Sequence, residues 1–173
     1  MSGARTPSSG RTVPAPPGSL TLVSDEDARW MSLAAQLAAL SPLSPGAYSV
    51  GAVIVAADGT EVARGFSREG GDPHVHAEES ALGKVPPDDP RLAGAIIYST
   101  LEPCSQRRSR PRSCTELILA TGIRRVVIAW REPSLFVADC VGVELLERAG
   151  VEVTELPGFA AAAKAPNRHL GAW

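Results

Sequence analysis

SVGAVIVAADGTEVARGF, at residues 49–66, combines an apolar run, a tight turn and a second strand-like run. Residues 49–55 are almost wholly apolar, which is typical of a strand buried within a sheet. Asp58-Gly59 is a strong signal for a β-hairpin turn, and residues 61–66 then form the returning strand. The stretch therefore predicts the first two strands of a sheet, paired antiparallel.

On either side of this hairpin the sequence predicts an alternation of helices and strands. Before it, Ser24 is suited to cap a helix that runs to about Leu40, with acidic residues in its first turn. After it, Ser113 and Glu116 form a capping box that begins another helix, and Gly122 ends that helix. The other predicted elements are a short helix beginning near His76, strands at residues 95–100, 125–130 and 151–155, and a helix at residues 141–149.

The order of these elements is α-β-β-α-β-α-β-α-β. After the hairpin, strands alternate with short helices, which predicts an α/β protein with a three-layer α/β/α architecture. We expect a five-stranded mixed sheet with helices on both faces. The 173 residues fit one domain at residues 20–156, a disordered Pro/Ser/Gly-rich tail at residues 1–19 and a C-terminal tail at residues 157–173.

Composition and charge exclude several classes of protein. No stretch approaches the ~20 consecutive apolar residues that span a bilayer, and the N-terminus lacks the apolar region of a secretory signal. A formal charge of −2 provides no general attraction to nucleic acid or to anionic membranes. The odd number of cysteines, three, argues against a disulfide framework. We therefore expect a cytoplasmic protein that does not bind membranes.

Two short motifs carry residue types that bind zinc. One is His76-Ala77-Glu78, and the other is Pro103-Cys104, followed ten residues later by Cys114. Each motif lies close to the predicted start of a helix, where the helix dipole favours a cysteine thiolate. Three protein ligands, His76, Cys104 and Cys114, leave the fourth tetrahedral position open for water, as in catalytic zinc sites. Glu78 lies two residues from a ligand and is the candidate that takes a proton from that water.

The H-x-E and P-C motifs are those of zinc deaminases. The chain resembles the deaminase domain of the riboflavin-biosynthesis pyrimidine deaminase/reductase, in the cytidine deaminase-like superfamily. The resemblance covers approximately residues 25–156. It is carried by these pieces: VGAVIV at 50–55, HAE at 76–78, TLEPCS at 100–105, GIRRVV at 122–127 and AGVEV at 149–153. It implies the cytidine deaminase-like fold, one Zn²⁺ and removal of an exocyclic amine from an aminopyrimidine or a related nucleobase or nucleotide.

The departures from the family pattern fall where the family reads its substrate. Ala47 replaces the Asn of N-P-x-V-G, and Glu132-Pro133-Ser134 replaces the start of D-P-N-P. The loop between the two cysteines is one residue longer than usual. The resemblance thus implies a shared reaction with a substrate that has diverged. The residues expected to contact the substrate are Ala47, Ala77, Arg110, Glu132, Ser134 and His74.

Four arginines, at positions 107, 108, 110 and 112, crowd the loop between the cysteines. They suit a phosphate clamp, with Arg110 as the first candidate, or they form a solvated basic loop. His74 either lines the pocket, competes as a metal ligand, or is an ordinary loop histidine. Phe136 is a candidate to stack on a base. Cys140, Trp130, Phe66 and Tyr98 are expected to pack in the core.

The C-terminal tail contains an Ala-rich run that predicts a short helix, stopped by Pro166. We expect His169 or Trp173 to cap the pocket, with plain surface packing as the alternative. The chain ends where the reductase domain of the related family would begin, so a stand-alone deaminase is expected.

The function predicted from the sequence is a zinc-dependent hydrolytic deaminase that acts on a small heterocyclic amine. Two alternatives stay open: a structural zinc module closed by Cys140 as fourth ligand, and an RNA-binding or editing module that uses the arginine-rich loop. The low net charge and the few aromatic residues make nucleic acid an unexpected partner. The resemblance implies a homodimer.

Overall fold

The structure is a computed structural model that describes residues 23–133, 135–136 and 140–171. The predicted disordered tail at residues 1–19, Ser134 and Trp173 lie outside the described residues. In the part described, no helix is long and apolar enough to cross a membrane.

The described chain forms one five-stranded mixed sheet with helices packed on it. The strands are β1 (Gly51–Val55), β2 (Glu61–Phe66), β3 (Ile96–Ser99), β4 (Arg125–Ile128) and β5 (Glu152–Glu155). Their order across the sheet is β2-β1-β3-β4-β5. Strand β1 pairs antiparallel with β2 and β3, whereas β3, β4 and β5 run parallel. The helices are α1 (Asp25–Ala38), α2 (Ala77–Leu82), α3 (Cys114–Leu119), α4 (Gly142–Arg148) and α5 (Ala160–Lys164).

Two glycines in the hairpin show that helices cover both faces of the sheet. A Cβ on Gly51 would lie 2.0 Å from the carbonyl oxygen of Ala34 in α1. A Cβ on Gly65 would lie 2.6 Å from the backbone nitrogen of Ala81 in α2. Gly51 pairs with Phe66, so it points to the face opposite to that of Gly65. Helix α1 and helix α2 therefore sandwich the hairpin, as the three-layer prediction requires.

The element order predicted from the sequence is confirmed, with small differences at the ends. The Ser24 side chain caps α1 by accepting a hydrogen bond from the backbone of Asp27 at 3.0 Å. Strand β4 ends at Ile128 rather than Trp130 because the carbonyl of Trp130 accepts from the backbone N–H of Glu102, outside the regular ladder. The chain thus leaves the sheet near the carboxyl ends of β3 and β4.

A polar cluster joins α1 to the centre of the sheet. The carboxylate of Asp27 receives two hydrogen bonds from the guanidinium of Arg125, at 2.9 and 3.0 Å, and one from the hydroxyl of Tyr98 at 2.8 Å. Burial alone would raise the pKa of Asp27, but these donors outweigh it and hold that pKa below its ordinary value. The cluster ties α1 to β3 and β4.

The aromatic residues predicted to lie in the core differ in how deeply they are buried. Tyr98 and Trp130 are buried, and Phe66 is partly buried against the same hydrophobic core.

Helix α5 packs on α1, and a 3₁₀ segment, Ala165–Leu170, follows it. The Ala-rich run thus forms the short helix that the sequence predicts.

Candidate metal centre and catalytic pocket

Three elements bring the predicted metal ligands together. His76 is the N-cap residue of α2, Cys114 is the first residue of α3, and Cys104 follows β3 in the loop after Ser99. The Ser113–Glu116 capping box that begins α3 is formed in both directions, as predicted. The two helix starts therefore point a histidine and a cysteine at the loop that carries the second cysteine.

The distances among these ligands suit a zinc ion. The Nδ1 atom of His76 lies 3.6 Å from Sγ of Cys104 and 3.5 Å from Sγ of Cys114. All three ligand atoms lie within 4.8 Å of one another. With ordinary zinc bond lengths, tetrahedral coordination separates nitrogen and sulfur ligands by about 3.6 Å. These three residues can therefore hold zinc with little movement, and in the part of the chain that the structure describes they are the only group that qualifies.

The two thiols influence each other's protonation even before a metal is considered. Hydrogen bonding with Cys114, which outweighs the effect of burial, lowers the pKa of Cys104 to about 4. Its sulfur also accepts a hydrogen bond from the backbone N–H of Cys114 at 3.4 Å. The hydrogen bond with Cys104, together with complete burial, raises the pKa of Cys114. These contacts therefore favour the thiolate form at Cys104 rather than at Cys114.

Glu78 faces the same centre from the first turn of α2. Its side chain is only 4% exposed, and its Oε1 atom accepts a hydrogen bond from the hydroxyl of Ser99 at 2.7 Å. Glu78 is not a member of the metal-ligand cluster. A buried carboxylate held by one donor and placed beside the ligands is positioned to move protons rather than to bind the metal.

A cavity of about 320 Å³ opens onto this centre. His76, Glu78 and Cys104 lie in its wall, so the ligand cluster and the carboxylate share one space. The cavity is also lined by Ala47, Tyr48, Val50, Arg107, Arg108, Glu132 and Phe136. Its size is that of a small-ligand pocket.

The arginine-rich loop contributes unequally to this cavity. The side chain of Arg107 is buried and donates to Glu79 at 2.8 Å, while Arg110 donates to Glu79 at 2.8 Å and also to Asp72. Arg110 lines a different cavity, between α2 and α3. Arg108 is exposed, lines the catalytic cavity and has no ion-pair partner among the described residues. The loop therefore presents Arg108 to a ligand, whereas Arg110 is held by two carboxylates.

Aromatic and acidic side chains, which form a wall at Tyr48, Glu132 and Phe136, line the same cavity as the metal ligands. The ring of Tyr48 packs edge-on against Trp130 at 5.7 Å and against Phe136 at 4.9 Å. Its hydroxyl is buried and has no hydrogen-bond partner among the described residues. Burial, followed by the negative charge of Cys104, raises the pKa of Glu132 to about 7. Burial and the charge of Glu132 raise the pKa of Tyr48 to about 12.

Four other residues named from the sequence lie away from the open cavity. His74 is exposed, and its backbone rather than its ring makes the hydrogen bonds to Asp72 and Arg107. Ala77 is fully buried in α2. Cys140 is partly buried, with its sulfur 3.8 Å from the carbonyl of Pro103, and is not in the ligand cluster. The fourth residue is His169, whose ring donates a hydrogen bond to the carbonyl of Ser44 at 2.8 Å.

Sequence reasoning assigned no role to three residues that hold the site. Ser99 positions Glu78, and Glu79 anchors Arg107 and Arg110. Glu102 is buried and accepts hydrogen bonds from the backbone N–H groups of Glu132 and Val143. The signal for Glu79 was present, because it stands three residues after His76 and completes a capping box. Ser99 and Glu102 act across the fold, so only the structure reveals them.

The α/β/α sandwich and a His-Cys-Cys centre with a buried glutamate define a class of zinc-binding domains. The family model described as the cytidine and deoxycytidylate deaminase zinc-binding region matches residues 24–130. That range is more than half of the chain, and the chain belongs to this family.

Relatives named for a pyrimidine deaminase are similar to this chain. A diaminohydroxyphosphoribosylamino-pyrimidine deaminase from Schizosaccharomyces pombe is 48% identical over 111 residues, which are 63% of this chain and 27% of that protein. The RibD protein of Aquifex aeolicus is 41% identical over 105 residues, 61% of this chain and 27% of that protein. The chain thus spans about a quarter of the length of these relatives.

A solved structure supports the same fold. The structure of Acinetobacter baumannii RibD, form 2, superposes with a TM-score of 0.70 at 33% identity, covering 85% of this chain and 40% of that one. The fold class predicted from the sequence, a cytidine deaminase-like α/β/α sandwich, is confirmed.

Proposed function

We propose that this chain is a zinc-dependent hydrolytic deaminase that removes an exocyclic amine from an aminopyrimidine. The observation that carries the proposal is the convergence of three zinc ligands and one buried, non-ligating carboxylate, Glu78, at the wall of one small-molecule cavity. The metal set has three protein ligands, as in catalytic zinc sites, where the fourth position serves water or substrate.

In this proposal His76, Cys104 and Cys114 hold the zinc ion. When bound there, zinc lowers the pKa of a water molecule enough for it to act as a nucleophile near neutral pH. Glu78 accepts a proton from the water and delivers it to the departing amine. The water oxygen thus replaces the amine on the ring, which gives the oxo product and ammonia. Ser99 keeps the Glu78 carboxylate oriented through their 2.7 Å hydrogen bond.

The substrate class follows from the cavity and from the names of the relatives. The Schizosaccharomyces pombe relative is named for a pyrimidine that carries a phosphoribosylamino group. We propose a substrate of that type, with its ring between the metal ligands and the wall of Tyr48 and Glu132. Arg108 is the cation available for the phosphate, because Arg107 and Arg110 are already paired with carboxylates. Ala47 lines the cavity and leaves space where the related family carries Asn.

The two alternative functions have less support. A structural zinc site would need a fourth protein ligand, and within the described residues the cluster has three members, without Cys140. An RNA-binding loop would need several exposed, unpaired cations, but two of the four arginines, Arg107 and Arg110, are paired with Glu79 and Asp72.

Ammonia release from a panel of heterocycles tests the proposal. The panel contains aminopyrimidine ribosyl phosphates, their dephosphorylated forms, dCMP, cytidine, cytosine and guanine. We expect turnover of a phosphorylated aminopyrimidine that is lost in Cys104→Ala protein, which serves as the metal-free control. If zinc-loaded protein releases ammonia from no member of the panel, the proposed function is wrong.

We also propose that the chain acts as a homodimer in the cytoplasm. The three free cysteines, two of them metal ligands, suit a reducing compartment. Light scattering on the purified protein tests the dimer, and a monomer mass at micromolar concentration would contradict it.

A further inference from the structure

One buried side chain ties the C-terminal segment, α5 and the 3₁₀ segment after it, to the chain that forms a wall of the catalytic pocket. Asn167, in the 3₁₀ segment after α5, is 1% exposed. Its Oδ1 atom accepts a hydrogen bond from the backbone N–H of Ser49 at 2.6 Å, and its Nδ2 atom donates to the carbonyl of Ser49 at 2.9 Å. Nδ2 also donates to the carbonyl of Ala163 in α5, at 3.2 Å. One amide thus satisfies both backbone groups of a residue 118 positions away.

Ser49 needs this partner because it lies just before the regular part of β1. Strand β1 begins at Gly51. Before it, the carbonyl of Val50 still accepts a hydrogen bond from the backbone N–H of Ser67 at 2.9 Å, whereas Ser49 lies outside the ladder. The backbone N–H of Val50 donates a hydrogen bond to the hydroxyl of Ser67, and the backbone N–H of Gly51 donates one to the hydroxyl of Thr100. Asn167 accepts in the same way from Ser49, so it replaces a missing neighbouring strand.

The opposite side of the same peptide is held by a buried arginine. The guanidinium of Arg68 donates to the carbonyl of Tyr48 at 3.0 Å and to the hydroxyl of Ser49 at 2.9 Å. Arg68 is itself buried. The Tyr48–Ser49 peptide is therefore clamped between Arg68, just after β2, and Asn167 from the C-terminal segment.

The clamped residue stands between two residues of the pocket wall. Tyr48 and Val50 both line the catalytic cavity, whereas Ser49 does not. The ammonium group of Lys164, at the end of α5, lies 4.8 Å from the ring of Trp130, against which Tyr48 packs. The C-terminal segment therefore supports the aromatic wall at two points, and its described residues, 160–171, are not among those that line the cavity.

We propose that Asn167 is a positioning residue for substrate binding: it fixes Ser49, and through Ser49 it sets where the Tyr48–Val50 wall meets the substrate. Asn167 touches neither substrate nor metal in this proposal, which rests on the proposed deaminase function. A wall that is displaced loses affinity for the ring, while the zinc ligands and Glu78, on α2, α3 and the loop after β3, keep their places. The expected signature is a change in KM with little change in kcat.

Kinetics of Asn167→Ala, compared with His169→Ala, test the proposal. His169 lies in the same 3₁₀ segment and bonds to the same loop, but at Ser44, away from the cavity. With the best substrate from the panel, we expect Asn167→Ala to raise KM about tenfold, with kcat within about threefold and zinc content unchanged. His169→Ala should change KM by less than about twofold. An unchanged KM in folded Asn167→Ala, or equal increases in both variants, overturns the proposal.

A second variant and a second measurement cover the case in which Asn167→Ala does not fold. Asn167→Asp keeps the volume and the acceptor for the N–H of Ser49, but its second oxygen would face the carbonyls of Ser49 and Ala163, so both donated bonds are lost and we expect a rise in KM at least as large as in Asn167→Ala. Hydrogen exchange of the peptide at residues 44–50 needs no substrate. The Ser49 amide should exchange faster in either variant of Asn167 than in the unaltered chain, because each variant loses hydrogen bonds that hold this segment. Unchanged exchange and unchanged KM in Asn167→Asp would refute the inference.

Failure of the proposed function gives a different result from failure of this inference. If the unaltered chain releases no ammonia, the deaminase function fails, and the exchange measurement still decides whether Asn167 holds Ser49. If the unaltered chain is active and Asn167→Ala matches it in KM, only the positioning role is lost.

Discussion

Replacing Glu78 by Gln is the sharpest test of how the site works. Gln keeps the size of the side chain and can still accept the hydrogen bond from Ser99, but it cannot take up a proton near neutral pH. Because Glu78 is buried and is not a metal ligand, the substitution should leave folding and zinc content unchanged. The reaction alone should suffer.

The expected loss in kcat follows from the role of the carboxylate. A positioned general base contributes about 10²–10⁴-fold, which corresponds to about 2.7–5.4 kcal/mol of transition-state stabilisation. Removing the orienting hydroxyl in Ser99→Ala should cost less, about tenfold, because the carboxylate remains while its 2.7 Å hydrogen bond is lost. Glu78→Asp, which keeps a carboxylate one methylene further away, should fall between Glu78→Gln and the unaltered chain.

The assay is ammonia release under saturating substrate, with zinc measured on the same samples. A Glu78→Gln protein that retains zinc and turns over within tenfold of the unaltered chain would refute the proton-transfer role. Loss of zinc in that variant would instead make Glu78 a ligand, against the geometry of the cluster.

Three further predictions concern the metal, the phosphate and the stability of the fold. Cys114→Ala should lose most of its zinc by metal analysis, whereas Cys140→Ser should keep it; full zinc in the first variant would contradict the ligand assignment. Arg108→Ala should raise KM about tenfold for a phosphorylated substrate and leave the dephosphorylated form unaffected, while Arg110→Ala should have a smaller effect; the reverse order would return the phosphate role to Arg110. Asp27→Asn should lower the free energy of unfolding by about 1.5–3 kcal/mol at neutral pH, measured by urea unfolding. Because the pKa of Asp27 is lowered in the folded state, its contribution is complete above about pH 4 and is lost as the pH falls through the folded pKa, so a gap between the two proteins that persists in strong acid would contradict it.

Local sequence signals predicted the elements because each depends on neighbours in the chain. The Ser24 cap, the Asp58-Gly59 turn and the Ser113–Glu116 capping box all involve residues at most a few positions apart. The alternation of strands and short helices then left few ways to arrange a sheet. The three metal ligands could also be named in advance, because they belong to short motifs of zinc-binding residue types, and two of them, His76 and Cys114, stand at helix starts.

The substrate side of the pocket could not be read in the same way. Arg110 was the first candidate for a phosphate clamp, and its role stays a prediction, but in the fold it is paired with Glu79 and Asp72. Which of several neighbouring arginines is free depends on carboxylates that are 28 to 38 positions away in the chain. Sequence spacing carries no information about such pairs.

By itself, the sequence determined the order of the elements and named the candidate residues for metal binding and for proton transfer, since these follow from residue type, short motifs and short-range hydrogen bonding. The tertiary structure decided which side chains support that chemistry. The Ser99 hydroxyl reaches Glu78, and the Asn167 amide reaches Ser49, across separations of 21 and 118 residues. Contacts of that kind arise only when strands and helices pack, because packing removes water from these polar groups and brings together partners that are distant in the chain.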